Sequence, residues 1–134
     1  MNTEIENILE HSRQYARDLL IDTGELYPFG AYIGIEGHVH PIEYEYDKKN
    51  MPTVGVVLES LAKYCDGEIE AGRMLAYGLT SEASVQLEED GDFIDTFVID
   101  IKTKEGNKVP LYYHPFAISA NKTVTFDEPF AVKR

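Results

Sequence analysis

The hydrophobic period of this chain switches three times. It is helical over 3–22, alternating over 29–46, helical again from Asn50 to Gly67, and alternating from there to the end. A 3.6-residue stripe cannot lie flat in a sheet, and a two-residue alternation cannot keep one face on a helix. The order of elements is therefore helix, two strands, helix, then three to five further strands.

In the first segment Ile5, Ile8, Leu9, Ala16, Leu19 and Leu20 form one stripe, interrupted by Ser12 and flanked by Tyr15. Thr3 and Glu6 fit a capping box at its start, and Gly24 suits a positive-φ stop. From Phe29 the chain reads extended through Ile35, turns at Glu36-Gly37 and returns from Val39 to Tyr46 as a hairpin. Asn50 is placed to cap the second helix with Pro52 in its first turn; Val54, Val57, Leu58, Leu61, Ala62 and Cys65 mark its buried stripe, and Asp66-Gly67 its end. The remainder reads as a meander: 73–87, whole or broken at Gly78, then 93–103, 109–116, 123–126 and 130–132.

These elements predict an α+β fold in a single domain, 1–134. One antiparallel sheet of about five to six strands carries both helices on one face and leaves the other face open. A hydrophobic content of 43% with 27% charged residues supports a buried core rather than a disordered chain.

The element order resembles that of profilin-like and roadblock-like domains, a resemblance that implies a scaffolding or regulatory module. More locally, Glu25-Leu26-Tyr27-Pro28-Phe29-Gly30-Ala31 after an N-terminal helix resembles small uncharacterised bacterial proteins with a Tyr-Pro-Phe-Gly-Ala stretch. That likeness implies a fold and no catalytic residue.

Twelve Lys and Arg stand against 24 Asp and Glu, a net charge of −12. Such a chain repels phosphate backbones and anionic lipid, so neither nucleic acid nor a membrane is expected as partner. The densest basic stretch, Lys102 to Lys108, is broken by Glu105. Solubility accounts for the charge; a basic protein partner or DNA mimicry is the functional counterpart. A single cysteine permits no intrachain disulfide, the N-terminus lacks a signal-peptide pattern, and no run of 18 apolar residues occurs, which together lean towards a cytoplasmic protein.

Three constellations bear on chemistry. His38 and His40, two apart, would share a strand face and could hold a metal with His114, Glu36 or Glu43. Surface histidines beside a glycine turn explain the pair as well. Cys65 lies on the apolar stripe of a helix, where a cysteine behaves as a small hydrophobe. The acidic turn Glu88-Glu89-Asp90-Gly91-Asp92 lacks calcium-loop spacing and reads as solvated charge. No phosphate-binding glycine loop and no nucleophile elbow occur, and nothing calls for a cofactor.

Nine tyrosines without a tryptophan are the compositional oddity. Tyrosine is at home on half-wet, partner-binding surfaces. Tyr27, Phe29, Tyr32, Tyr44, Tyr46 and Tyr112 are the candidate binding residues of an open sheet face. The expectation is a non-catalytic protein-interaction module, a homodimer with itself as partner or a scaffold, inhibitor of the immunity type or chaperone for another protein. The alternative is a small metal-binding protein or metal-dependent enzyme on His38 and His40. A third reading is a small-ligand pocket between Tyr27–Phe29 and the first helix.

Overall fold

The computed structural model describes residues 3–45, 49–106 and 108–134. In chain order the elements are α1 (Thr3–Thr23), β1 (Phe29–Gly34), β2 (Val39–Ile42), α2 (Val54–Glu70), β3 (Met74–Gln86), β4 (Phe93–Thr103), β5 (Leu111–Ile118), β6 (Val124–Phe126) and β7 (Phe130–Val132). The fold is α+β with the expected order. The strands form one antiparallel sheet in the order β2-β1-β3-β4-β5-β6, with β7 also pairing β5.

The helices do not share a face. Along β3, Ala76 packs with α1, whereas its neighbour Tyr77 and then Leu79 pack with α2. A Cβ placed on Gly78 would come within 2.6 Å of Ile8 on α1 and 3.3 Å of Ile101 on β4. Successive residues of a strand point to opposite sides, so α1 and α2 sandwich the sheet. The connectivity explains this. β2 and β3 both run antiparallel to β1 and flank it, so α2 is a crossover that must pass over one face; the other face falls to α1. The near-continuous apolar runs Phe29-Gly-Ala-Tyr-Ile33 and Met74-Leu-Ala-Tyr-Gly-Leu79 are what strands buried on both faces need.

Ile8, Ala16 and Leu20 of α1 pack on Phe29, Ile33, Phe97, Ile99 and Ile101, all buried. Ser12 is buried with them. Gly24 (φ +73) ends the helix, its amide bonding the Leu20 carbonyl at 2.9 Å. On the opposite face Val57, Leu61 and Cys65 meet Met74, Tyr77 and Leu79. A bulge joins the two packing schemes: Ile33 faces Ala76 while Gly34 faces Met74, so Leu75 is extra. The extra residue reverses the alternation and turns Met74 towards α2.

Helix α2 differs from expectation at both ends. Its N-cap is Thr53, whose hydroxyl accepts from the Val56 amide at 3.3 Å, not Asn50. With Asn50 as cap, Met51 would have to be helical, and a residue before proline is disfavoured there. The helix also continues past Gly67 to Glu70 and stops at Gly72 (φ +79), because Ile69 extends the Leu61–Cys65 stripe by one more turn onto the same cluster. Strand β3 runs unbroken through Gly78. Strand β2 is shorter than expected: β1 begins at Phe29 after Pro28, so the ladder ends at Gly30–Ile42. Tyr46 lies outside the described residues.

Pro115 falls where the outer edge of β5 changes partner. Residues 111–113 pair with β7 and 116–118 with β6. The Pro115 carbonyl accepts from the Asp127 amide at 3.1 Å on that edge. A residue's amide and carbonyl point to the same side of a strand, so the amide that proline lacks is missing from the outer edge and costs no bond to β4.

Candidate functional site

Helix α2 covers only the β2-β1-β3 end of its face. Beyond it, strand register fixes what the open remainder presents. Val98 is opposite Tyr113, Tyr113 opposite Phe130 and Leu111 opposite Val132, and directly opposed residues share a face. The pair Val85–Ile94 extends this surface along the β3–β4 hairpin. Tyr113 and Phe130 stack with centroids 5.2 Å apart and planes 9° apart. Val98, Leu111, Tyr113 and Phe130 are half-buried, and Val132 is exposed. Between this surface and the Leu58–Ala62 flank of α2 runs a groove of about 340 Å³. Val54, one helical turn before Leu58, is exposed beside it. Two carboxylates line the groove: Asp100, ion-paired with Arg134, and the exposed Glu59 of α2.

The aromatic residues singled out from sequence are not gathered on that surface. Phe29 is buried under α1, stacked on Tyr15 at 4.6 Å, and Tyr112 packs against the same core. Tyr27, Tyr32 and Tyr44 pack on the α2 side. The Tyr27 hydroxyl donates to the Pro52 carbonyl at 2.7 Å, tying the chain ahead of α2 to the start of β1. Tyr77, which is buried, donates to Asp66 at 2.8 Å, and Lys102 reaches the same carboxylate at 3.0 Å. Burial works against ionisation of Asp66, but the bonds from Lys102 and Tyr77 outweigh it and hold the carboxyl below its ordinary range. The abundance of tyrosine thus reflects rings that fill the core margin while their hydroxyls reach polar partners. Tyr113 lies on the open face, stacked on Phe130. Its signal in the sequence is its position next to Tyr112: of two adjacent strand residues, one must face away from the core.

Of the three histidines of the metal reading, His38 and His40 both act on the Glu36 carboxylate, and His114 lies elsewhere in the sheet. His38 is exposed at the turn before β2. His40 bonds the Glu36 carboxylate and stacks on Tyr32 at 5.0 Å. His114 lies on β5 on the α1 side, stacked on Phe97 at 4.7 Å with planes 2° apart. Burial pushes its imidazole down to about 4, and the charges of Arg13 and Arg17 act in the same direction. Among the described residues no three His, Cys, Asp or Glu side chains gather so as to hold a metal ion.

Cys65 is fully buried. Burial first, then the charges of Asp66 and Glu68, raise its thiol to about 12, so it stays protonated as a packing group. The acidic side chains of the turn are exposed around a backbone bond from the Gly91 amide to the Glu88 carbonyl at 3.0 Å. At the other end of the sheet Tyr15 donates to Glu43, which raises the phenol to about 12, with burial adding to the shift. Among the described residues no helix is long and apolar enough to cross a membrane.

Comparison with protein-family models, curated proteins and solved structures returns no match. The likeness to profilin-like and roadblock-like domains accordingly remains one of element order.

Proposed function

We propose that this chain is a non-catalytic protein-interaction module whose partner is a second copy of itself, docked through the open half of the α2-side sheet face. The observation that carries this reading is the half-covered face. Helix α2 stops short of a surface made by Val98, Leu111, Tyr113, Phe130 and Val132, with Val54 and Leu58 at its margin. Contiguous apolar surface of this kind marks interaction sites.

A second copy can occupy this surface despite the charge. A chain of net charge −12 repels its like unless the contact itself is uncharged. Here the centre of the surface is aliphatic and aromatic, Asp100 is ion-paired with Arg134, and Glu59 stands at the α2 margin of the groove. Isologous contact through one such patch is the commonest form of self-association. A reducing, cytoplasmic setting suits the lone buried thiol of Cys65.

Size-exclusion chromatography with light scattering tests the reading. The expected mass is twice the 15.2 kDa of the chain, and Tyr113→Arg on the open face returns it to one chain while far-ultraviolet circular dichroism stays unchanged. A strict monomer at high concentration, or a dimer that Tyr113→Arg leaves intact, overturns it.

A further inference from the structure

A cleft of about 450 Å³ opens between the C-terminal half of α1 and the β1–β2 hairpin, at the end of the molecule away from β5 and β7. Four of its lining residues are aromatic: Tyr15, Tyr27, Phe29 and Tyr44. Two more are the exposed carboxylates Glu25 and Glu43, and no Lys, Arg or His lines it among the described residues.

The rings are held in place before any ligand arrives. Tyr15 stacks on the buried Phe29 and donates its hydroxyl to Glu43, fixing ring and carboxylate together. Tyr27 is anchored by its bond to the Pro52 carbonyl. Preformed walls spare a ligand the cost of ordering them.

The chemistry of such walls selects by charge. Aromatic faces attract cations through their quadrupole, and carboxylates at the mouth balance the charge that enters. An anion meets Glu25 and Glu43 and is repelled. A neutral apolar ligand gains burial alone. The volume falls within the range of small-molecule sites. The acidic surface as a whole raises the local concentration of cations.

We infer that this cleft binds a small organic ammonium ion, its alkylated nitrogen against the rings of Tyr15, Tyr27 and Tyr44 and its charge balanced by Glu25 and Glu43. Free choline and a trimethyllysine side chain carry the same headgroup, and both are accommodated by this chemistry. The site is independent of self-association, since it lies off the surface used for that contact.

The test is a nuclear magnetic resonance titration of the full chain with choline, with its neutral carbon isostere 3,3-dimethyl-1-butanol, and with a trimethyllysine peptide beside its unmethylated form. Choline is expected to shift the ring signals of Tyr15, Phe29 and Tyr44, with the isostere about tenfold weaker. Glu43→Gln and added salt should each weaken choline several-fold. Tyr44→Leu should lower affinity about tenfold while Tyr44→Phe, which keeps the π face, restores it. Whichever headgroup carrier binds more tightly identifies the source. Equal binding of choline and its isostere, or no ring shift from either headgroup carrier at tens of millimolar, overturns the inference.

Discussion

The two faces of the sheet are built from the same strands to different specifications. On the α1 side, alternate residues of β1, β3 and β4 are aliphatic or aromatic and buried: Phe29, Ile33, Ala76, Phe97, Ile99 and Ile101. Helix α1 runs 21 residues and covers them. On the α2 side, a 17-residue helix covers one end, tyrosines with tethered hydroxyls fill the margin, and Val98, Leu111, Tyr113 and Phe130 are left half in water. One face supplies most of the core; the other divides its area between core and contact surface. A sheet covered on one side by a full-length helix can leave part of its second side unfinished without losing its fold.

Deleting matched aromatics from the two faces should break this comparison most sharply. Phe97→Ala removes a fully buried ring from the α1 side and should cost about 3–5 kcal/mol in urea unfolding. Tyr113→Ala, on the open side, should cost no more than about 1 kcal/mol under conditions where the chain is monomeric. Equal losses would mean that the open face is core.

The next effect is pH dependence on the α1 side. His114 is buried and its folded pKa lies near 4, below the ordinary 6.5. The unfolded chain therefore binds the proton more readily than the folded one. The stability from keeping the imidazole neutral is complete above about pH 6.5 and is lost as pH falls towards 4, by up to about 3 kcal/mol. His114→Gln should flatten that part of the profile relative to the parent chain, measured as the urea midpoint between pH 7.5 and 4.5. Parallel profiles would show that His114 titrates normally.

Two glycines give the smallest and opposite effects. Gly78→Ala drives a methyl into Ile8 at 2.6 Å and should destabilise by about 1–3 kcal/mol. Gly67→Ala, inside α2 with nothing within 4 Å of the new methyl, should stabilise by about 0.5–1 kcal/mol. Thermal unfolding of both variants reads the sign directly, and a common sign would contradict the placement of the helices.

Local signals carried most of the element map. The 3.6-residue stripe of α1 and its Gly24 stop, the Gly37 turn (φ +90) and the strands 93–103 and 130–132 were all legible, because each depends on a few neighbouring residues. The ends of α2 were less so. Asn50 is a good cap by type, and only the restriction that Pro52 places on Met51 moves the start to Thr53. The candidate surface was legible in kind and not in place. Tyrosines on strands signal a margin between core and solvent, but composition does not say which side of the sheet each ring faces. A single bulged residue, Leu75, likewise turns Met74 to the face opposite the one strict alternation would give it.

What the sequence by itself determined is the succession of periods: two helices, the extended segments and the turns between them, since periodicity and turn chemistry act within a few residues. What only the tertiary structure decided is which face each helix took, and hence which residues were left open. That choice depends on β2 and β3 flanking β1, so that α2 must cross over the sheet. Strand order is set by contacts between residues far apart in the chain, and no local pattern encodes it.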